Sequence, residues 1–448
     1  MNNVVVIGSG MAGYGAATVL HTQGQRPVVY EKSPYYGGHT ASFVDKGFLF
    51  DLGPHISFTK DERIQKLLAG HVDNKYEALQ VKLDNYWKGL RLTHPVQLHL
   101  HGLPHDLIIE VITDFVKEHA APEPKVANYE EWLIASYGRK FAETFPMTYA
   151  RKYHTTDAKN MSTDWLGPRM YRPSLQEMLR GALGPWSPDV HYITHFRYPT
   201  HGGFFSYLKD FPRVADIKLE HEVAAIDPKA RQVRFANGAT IGYGGLVSSI
   251  ALPALIPMIA GAPQEVLAAA RRLAATTCVL VNVGVNRADL SEGQITYIYD
   301  EDIVFTRLSF PHMLSATNAP PGCGSIQAEV YFSDKYRPLQ QSPEQIIERV
   351  IADLRRCGTL REDDQILFRG AKVVRYANVI FDLERAAAVK TVHGYLDDVG
   401  IRYCGRYGDW GYMWTDESYI SGERAAEKAL STSRPARRDA VPAGANSG

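Results

Sequence analysis

The first thirty residues follow a glycine-punctuated pattern that few folds can accommodate. The apolar run Val4–Ile7 is followed by Gly8, Ser9, Gly10, Met11, Ala12 and Gly13, and the next apolar run ends at Glu31. This order predicts a buried strand, a tight turn, a helix and a second strand closed by a carboxylate. Gly8 permits the turn, Gly10 leaves room for a pyrophosphate at the helix N-terminus, and Gly13 lets the helix approach the strand.

Glu31 indicates which dinucleotide such a unit would hold. Its carboxylate is expected to accept hydrogen bonds from two ribose hydroxyls and to repel a 2′-phosphate, so FAD or NAD fits better than NADP. The alternative is a sharp strand–helix turn that binds no nucleotide. The preceding strand, the small residues Ala16 and Ala17 on the helix, and the second strand Val28–Tyr30 favour the nucleotide.

The composition argues against several classes of protein. The 448 residues carry no net charge at pH 7, which argues against a nucleic-acid partner. The four cysteines lie far apart and form no CxxC pair, so neither a zinc site nor a disulfide framework is expected. No apolar run is long enough to span a bilayer, and the first predicted strand starts at residue 4. We therefore expect a cytoplasmic protein without a signal peptide or a membrane span, whose oligomeric state the sequence leaves open.

Two further segments yield expectations about what the chain lacks. His191, His195 and His201 do not have the spacing of metal ligands on one helix or strand, so no metal site is predicted. Residues 431–448 are small, polar and proline-containing, and they are expected to form a disordered tail.

Elements typical of a nucleotide-binding fold recur at both ends of the chain and near its middle. Strand patterns occur at 217–235, 245–250, 278–285, 295–299, 304–308, 326–332 and 401–405, and helical patterns at 108–116, 129–145, 343–354 and 418–430. The predicted fold class is α/β, with a discontinuous Rossmann-type domain and an inserted α+β substrate domain. The nucleotide domain is assigned to 1–75, 195–265 and 395–430, and the substrate domain to 76–194 and 266–394.

Several motifs give the chain a resemblance to a known superfamily. They are Gly37-Gly38-His39, Asp51-Leu52-Gly53-Pro54-His55, Tyr149-Ala150-Arg151-Lys152-Tyr153, Tyr198-Pro199-Thr200-His201-Gly202-Gly203, Phe305-Thr306-Arg307 and Gly405-Arg406-Tyr407-Gly408-Asp409-Trp410-Gly411-Tyr412. Up to about residue 430, the chain resembles the flavoprotein superfamily of amine oxidases, protoporphyrinogen oxidase and phytoene desaturases. Within that superfamily it is most similar to UDP-galactopyranose mutase and its relatives.

The resemblance implies FAD as the cofactor. The residues that it assigns to the cofactor are Gly8, Gly10, Met11, Ala12, Gly13, Glu31, Lys32, Gly38, His39, Thr40, Gly53, Pro54, His55, Val223, Gly405, Arg406, Trp410, Asp416, Glu417 and Ser418. Val223 would offer its backbone to the adenine. The Gly53–His55 loop would lie against the isoalloxazine, and Gly405, Arg406 and the start of the last helix would lie along the ribityl chain and near the flavin N1–C2 edge.

The resemblance also implies a substrate site. Arg169 and Arg307 match arginines that clamp a diphosphate, and Tyr376 and Tyr412 match flanking tyrosines. The implied catalytic residues are His55, Arg307, Tyr376 and Tyr412, and the implied substrate contacts are Arg169, Arg307, Tyr153 and Tyr198.

The chain departs from the mutase pattern at three positions. Phe58 replaces a second histidine, Tyr153 a tryptophan and Trp410 a tyrosine. Phe58 bears on control of the flavin redox state, and the other two bear on the identity of the sugar.

Each of the strongest candidates has a structural alternative. Arg307 stands in an apolar strand, where it needs an anion. That anion is either a ligand phosphate or an internal carboxylate, and the resemblance favours the ligand. His55 is either a flavin contact or a structural histidine. Trp410, Tyr412 and Trp414 alternate, so a strand there would place them on one face. They are either a wall over the flavin or ordinary core, and their place between Gly405 and a helix start favours the wall. Glu329 is a candidate polar group in the cleft.

The predicted function is that of an FAD-dependent enzyme. The first hypothesis is a mutase-like reaction through flavin N5 on a nucleotide-linked or related sugar. The alternative is an oxidase or dehydrogenase that transfers hydride from an amine, an alcohol or a ring carbon to N5. A flavin-binding protein without turnover is a third possibility, which the number of arginine and aromatic candidates disfavours.

Overall fold

A computed structural model describes residues 3–120, 125–167, 170–186 and 193–433. The opening segment folds as predicted, into β1 (Val4–Ile7), α1 (Met11–Thr22) and β2 (Val28–Tyr30). β1 lies at the centre of a five-stranded parallel sheet in the order β19-β13-β1-β2-β9, and the other three strands are β9 (Asp216–Lys218), β13 (Gly245–Ser248) and β19 (Ile401–Tyr403). The sheet therefore collects strands from distant parts of the chain.

The five-stranded sheet is buried on both faces, as a parallel sheet requires. Val4 and Val6 pack into one apolar core, and Val5 and Ile7 pack into the other. The first core holds α1, α2 (Glu62–His71), the short α8 (Phe211–Val214) and α14 (Thr415–Ser433). The second holds α9 (Leu252–Met258), α10 (Gln264–Arg272), α12 (Arg385–Asp398) and the sheet of β10 (Val223–Asp227), β11 (Gln232–Phe235) and β12 (Thr240–Gly242).

Helices α1 and α14 touch backbone to backbone. A Cβ on Gly15 would lie 2.0 Å from the carbonyl oxygen of Tyr419, and a Cβ on Gly422 would lie 1.8 Å from that of Ala12. Only glycine allows this approach at the two positions. The contact joins the first helix of the chain to the last described one, and it brings α13 (Gly405–Gly408) beside the glycine turn.

The inserted part of the chain contains a seven-stranded sheet in the order β18-β14-β17-β16-β15-β6-β7. Its strands are β6 (Leu83–Trp87), β7 (Leu90–Thr93), β14 (Thr277–Val285), β15 (Ile295–Ile298), β16 (Arg307–Ser309), β17 (Gly324–Phe332) and β18 (Ile366–Val374). Apart from the parallel pair β15–β6, neighbouring strands are antiparallel.

The two faces of this sheet differ. One is apolar and packs against α11 (Pro343–Arg356) around Val281, Ala328 and Leu308. The other carries polar and aromatic side chains.

Helices and hairpins complete the molecule. The helical layer comprises α3 (His105–Ala120), α4 (Tyr129–Tyr137), α5 (Arg139–Thr144), α6 (Pro146–Tyr153) and α7 (Leu175–Leu183). There are also two antiparallel strand pairs. One joins β3 (Ser42–Asp45) to β4 (Phe48–Asp51), and the other joins β5 (Tyr76–Gln80) to β8 (His195–Pro199). In the described ranges, no helix has both the length and the apolar character needed to cross a bilayer.

The structure corrects several predicted elements. The helix predicted over 129–145 is broken at Gly138, whose φ is +79°. The strand predicted at 304–308 starts later, at Arg307. Helices α10 and α12 pack on the nucleotide-domain core, although the predicted boundaries assign most of both to the substrate domain. α14 continues to Ser433, so residues 431–433 of the predicted tail are helical, and the remainder of the tail lies outside the described residues.

Candidate functional site

The glycine turn leaves an open space at the N-terminus of α1. Gly8 has a φ of +96°, which glycine adopts readily, and a Cβ on Gly13 would lie 2.0 Å from the carbonyl oxygen of Gly8. A Cβ on Gly10 would lie 3.9 Å from both the carbonyl oxygen of Gly37 and the Cα of Gly38. The space over Gly10 therefore suits a ligand, and the free N–H groups at the helix start suit a phosphate. Met11 and Ala12 form the first turn of this helix.

Glu31 stands at the mouth of this turn. Its Oε2 accepts hydrogen bonds from the Ser9 N–H (3.0 Å) and the Ser9 hydroxyl (2.7 Å), and its Oε1 accepts one from the Ser33 N–H (2.9 Å). The carboxylate is thus held in one orientation beside the glycine loop. The neighbouring Lys32 is exposed. The His221 N–H donates to the Glu31 carbonyl (2.8 Å), and this bond lies two residues before Val223 in the chain.

The pair Gly37 and Gly38 packs against Gly10 of the glycine turn. A Cβ on Gly38 would lie 3.1 Å from the Cα of Gly10, and the Thr40 hydroxyl donates to the Gly37 carbonyl (2.7 Å). His39 follows, with its Nδ1 2.8 Å from the Tyr407 hydroxyl. Since that hydroxyl donates its proton to the Ala377 carbonyl (3.1 Å), the His39 Nδ1 must be the donor. Burial lowers the pKa of His39 to about 3, so the ring is neutral at pH 7.

His55 is a second neutral histidine, on the loop predicted to face the flavin. Gly53 has a φ of +94° and turns the chain so that its carbonyl meets the His55 Nδ1 at 2.9 Å, with Pro54 between them. A carbonyl can only accept, so Nδ1 carries the proton and Nε2 is left as an acceptor. Burial lowers the pKa of His55 to about 4, despite the bond to Gly53. The ring can therefore offer a hydrogen-bond acceptor, but not a positive charge, at neutral pH.

The polar face of the seven-stranded sheet carries Arg307 paired with Glu329. The two residues are cross-strand partners on β16 and β17. The Arg307 Nε donates to Oε2 of Glu329 at 2.9 Å, and Nη2 donates to Oε1 at 2.8 Å. Glu329 is 1% exposed and Arg307 is 19% exposed at the side chain. Although burial opposes the charge, Glu329 raises the pKa of Arg307 above its ordinary range.

This bidentate pair bears on the two interpretations of Arg307. The sequence favours a ligand phosphate as its anion, but the structure provides an internal carboxylate instead. Glu329, a candidate polar group in the cleft, is that partner.

Five tyrosines surround this pair and form what we call the tyrosine cluster. They are Tyr149, Tyr153, Tyr297, Tyr331 and Tyr412. Tyr331 donates to Oε2 of Glu329 at 2.7 Å, and its ring centre lies 4.8 Å from that of Tyr153. The ring centre of Tyr149 lies 5.5 Å from that of Tyr153 and 5.7 Å from that of Tyr297. Burial raises the pKa of Tyr149, Tyr153, Tyr297 and Tyr331, so these hydroxyls stay protonated at pH 7. The cluster thus places phenol hydroxyls and aromatic rings around the Arg307–Glu329 pair.

Sequence reasoning missed three members of this cluster as site residues: Tyr149, Tyr297 and Tyr331. A signal existed for Tyr331, because it lies two residues from Glu329 on one strand and must share its face. Tyr297 pairs with Arg307 across β15 and β16, and a single sequence does not reveal that register.

Arg406 adds a second buried guanidinium near Tyr412. Its Nε donates to the Met413 carbonyl (2.9 Å), Nη1 lies 3.4 Å from the carbonyl of Ala377 and from the amide oxygen of Asn378, and its guanidinium lies 5.5 Å from the centre of the Tyr412 ring. Over the described ranges no carboxylate pairs with it. Its charge is therefore available to an anionic or electron-rich group.

The C-terminal segment brings the remaining cofactor candidates to this side of the molecule. Gly405 has a φ of +74°, and a Cβ there would lie 2.7 Å from the Cβ of Ala12, so the turn packs directly on α1. Asp416, Glu417 and Ser418 occupy the first turn of α14, where Glu417 accepts from the Trp414 N–H at 2.7 Å.

Two predicted site residues have other surroundings in the structure, and a third lies outside the described residues. Trp410 belongs to the core and not to an aromatic wall: its φ is +51°, and its indole is fully buried in the nucleotide-domain core, which leaves Tyr412 and Trp414 as neighbours. Tyr198 is fully buried, and its hydroxyl donates to Asp51 at 2.7 Å, which leaves it no access to a substrate. Arg169 lies outside the described residues.

Tyr376 lies at the rim of the nucleotide-domain core rather than in the tyrosine cluster. Its φ is +56°, and its ring centre is 6.5 Å from that of Tyr407 and 6.3 Å from that of Trp410. Tyr407 also contacts His39, so Tyr376 lies near the residues predicted to bind the cofactor.

Comparison with protein families and curated sequences supports the nucleotide-binding assignment. The model of the NAD(P)-binding Rossmann-like domain family matches residues 6–70. The 4,4′-diapophytoene desaturase (4,4′-diaponeurosporene-forming) of Staphylococcus aureus (strain bovine RF122 / ET3-1) is 36% identical over 267 residues, which cover 51% of this chain and 51% of that protein. Prolycopene isomerase 2, chloroplastic, of an Oncidium hybrid cultivar is 33% identical over 113 residues, which cover 25% of this chain and 18% of that protein. The chain thus spans about half or less of the length of these relatives.

Solved structures share the fold over almost the whole chain. A reduced UDP-galactopyranose mutase superimposes with a TM-score of 0.88 at 24% identity, covering 96% of both chains. A putrescine oxidase double mutant superimposes with a TM-score of 0.64 at 16% identity, covering 96% of this chain and 99% of that one. These comparisons confirm the predicted Rossmann-like fold and show that the chain shares its overall architecture with these two structures.

Proposed function

We propose that this chain, which has the fold of the amine-oxidase-type flavoproteins, is an FAD-dependent enzyme that acts on a nucleotide-linked or related sugar in the manner of UDP-galactopyranose mutase. The tyrosine cluster around the Arg307–Glu329 pair carries this proposal. It joins five phenol groups to a buried charged pair on the sheet face nearest the His55 loop. Hydroxyl-bearing aromatic side chains suit a sugar, since they stack on its ring and exchange hydrogen bonds with its hydroxyls.

The residues of the dinucleotide site fit FAD. Gly10 leaves the space of a pyrophosphate, α1 offers free N–H groups, and Glu31 is held where a ribose would bind. FAD, when bound, supplies the reactive flavin N5 on which either a mutase-type or an oxidase-type reaction depends. The protein contributes position and electrostatics. His55 offers an uncharged acceptor at Nε2, Arg406 offers a positive charge not matched by a carboxylate, and the tyrosines orient the sugar.

One observation favours a second candidate function, an oxidase or dehydrogenase. Arg307 already has a bidentate carboxylate partner, so the pair is neutral overall and offers less attraction to a diphosphate than a free arginine would. A substrate without phosphate would meet no uncompensated charge at this point. The rival reaction would transfer hydride from an amine, an alcohol or a ring carbon.

Anaerobic titration of the FAD-loaded protein separates the two functions. The reduced protein is mixed with UDP-galactopyranose, and the flavin spectrum and the sugar products are followed together. Conversion between pyranose and furanose forms without net oxidation of the flavin supports the mutase proposal. Absence of UDP binding and of sugar conversion, with rapid reduction of the oxidised protein by an unphosphorylated amine or alcohol, would contradict it and support the rival.

The Glu329→Gln variant serves as a matched probe of the substrate charge. It preserves the size of residue 329 but frees the charge of Arg307. If the diphosphate binds at Arg307, UDP should bind the variant more tightly than the unmodified protein. An unchanged UDP affinity would mean that the diphosphate, if it binds, lies elsewhere.

A further inference from the structure

The end of helix α6 carries a buried lysine to which the proposed function gives no role. Lys152 belongs to the motif Tyr149–Tyr153, and its side chain is buried. Its Nζ donates to the carbonyl oxygens of Ile298 (3.2 Å) and Asp300 (2.6 Å), at the end of β15 and just beyond it. Burial lowers the pKa of Lys152 to about 7, although nearby carboxylates, Asp300 first among them, favour the charged amine. A buried amine is costly without hydrogen-bond acceptors, and these two carbonyls supply them.

Just after α6, a second bond joins the same segment to the sheet. The Thr155 hydroxyl donates to the His154 carbonyl (2.6 Å), so the Ser333 hydroxyl, 2.7 Å away, is the donor in the bond between Ser333 and Thr155. Ser333 directly follows β17, and both residues are buried. Thr155 has a φ of +62°, which is uncommon for a β-branched residue and persists only where the surroundings hold it. The end of α6 is thus attached to two strands of the seven-stranded sheet.

These two strands carry the tyrosines that α6 contacts. Tyr297 stands on β15 and Tyr331 on β17. On α6, the ring centre of Tyr149 lies 5.7 Å from that of Tyr297, and the ring centre of Tyr153 lies 4.8 Å from that of Tyr331. Both strands are held in the sheet by their pairing with β16. The sheet is therefore the frame, and the two bonds fix the end of α6 on it.

We propose that Lys152 and Thr155 are positioning residues of the tyrosine cluster, which set the tyrosines of α6 against those of the sheet and so determine where a substrate ring can lie. This inference rests on the proposed function, because it takes the cluster as the substrate site. A misplacement of about 1 Å can lower the rate of a reaction up to about a hundred-fold, even when the change lies away from the reacting atoms.

Lys152→Met removes the amine and keeps a long side chain. In crystals of the FAD-loaded variant we expect the distance between the rings of Tyr149 and Tyr297 to change by about 1 Å, and we expect kcat for UDP-galactopyranose conversion to fall at least about ten-fold with unchanged flavin content. Arg151→Met is the matched control, because Arg151 binds the Glu301 carboxylate (2.7 Å) from the same helix to the same turn, but at the surface. It should keep both the ring distance and the turnover.

Two variants of Thr155 test the second bond, and they decide the question if Lys152→Met fails to fold. Thr155→Val keeps the branched shape but loses the hydroxyl, so it should displace the ring of Tyr153 from that of Tyr331 and lower kcat. Thr155→Ser keeps the hydroxyl and should retain the ring distance and the turnover of the unmodified protein.

Unchanged ring distances in Lys152→Met and Thr155→Val would overturn the proposal, and so would displaced rings with an unchanged kcat. An equal loss of kcat in Arg151→Met and Thr155→Ser would overturn it as well, because the loss would then not depend on the two bonds. Failure of the proposed function would appear separately, as absence of UDP-galactopyranose conversion in the unmodified protein. The same variants would then be compared with the amine or alcohol that reduces the flavin, and equal rates of reduction would overturn the positioning role.

Discussion

Replacing Arg307 with alanine should destabilise the protein, and not only weaken a ligand. The substitution leaves the Glu329 carboxylate, which is 1% exposed, with the Tyr331 hydroxyl as its one remaining hydrogen-bond donor among the described residues. Breaking one side of a buried ion pair typically costs about 3–5 kcal/mol, because the other charge stays buried and unpaired. Since the Arg307 side chain is 19% exposed, some water can reach the site, and we expect a loss of about 2–4 kcal/mol in the free energy of unfolding.

A double-mutant cycle isolates the pair. Arg307→Ala/Glu329→Gln removes both charges and keeps a side chain that Tyr331 can contact, so most of the stability lost in Arg307→Ala should return. Urea denaturation of the four proteins, followed by far-ultraviolet circular dichroism, measures these differences. Arg139→Ala is the matched control, because the Arg139–Glu143 pair is exposed at 57% and 55% and should contribute less than about 0.5 kcal/mol.

Two results would refute this reasoning. If Arg307→Ala costs no more than Arg139→Ala, the pair is not a buried charge pair in solution. If the free energy of unfolding lost in the double variant equals the sum of the losses in the two single variants, the two residues do not interact energetically. A UDP titration of the folded double variant adds the functional answer: unchanged affinity would exclude Arg307 as a diphosphate clamp.

The remaining predictions concern glycine packing and a buried histidine. Gly10→Val should fold but contain little FAD, because its side chain would occupy the pyrophosphate space, whereas Gly13→Val should fail to fold; flavin content and circular dichroism test both. Gly422→Ala should lower the melting temperature, because its Cβ would lie 1.8 Å from the Ala12 carbonyl oxygen, whereas Gly394→Ala, in open space on α12, should stabilise by up to about 1 kcal/mol. Burial lowers the pKa of His154 to about 3. Between pH 6.5 and 4 the unfolded chain therefore binds a proton that the folded chain does not, and the free energy of unfolding decreases as the pH is lowered. His154→Asn should reduce this slope by about 1.4 kcal/mol per pH unit in urea unfolding at pH 6 and pH 4, and an unchanged slope would contradict the assignment.

The nucleotide-binding half of the fold could be predicted because its sequence signals are steric. The carbonyl of Gly8 lies where a Cβ on Gly13 would be, and no residue other than glycine satisfies that geometry. The order of strand, glycine turn, helix and acidic residue is local, so a single sequence contains all of it. The same is true of the helix α11, which begins at Pro343 as the sequence predicts.

The substrate side was less predictable because its contacts depend on register between distant strands. Alternation indicates that Arg307 shares a face with Ser309, but it does not indicate which residue of β17 lies opposite. The pairing with Glu329 follows from the register of β16 and β17. Trp410 fails for another reason. Its left-handed backbone conformation interrupts the alternation assumed for 410–414, and the indole turns into the core.

The contact between α1 and α14 connects the two halves of the candidate site. Gly15 and Gly422 allow the helices to meet backbone to backbone, and Gly405 packs on Ala12 in the same region. The turn that leaves space for the dinucleotide and the segment that carries Arg406 and Tyr412 are thus fixed to each other through α1. A change that separates the two helices should therefore displace Arg406 relative to Gly10, and it should weaken cofactor binding even though neither Gly15 nor Gly422 is among the residues assigned to the cofactor.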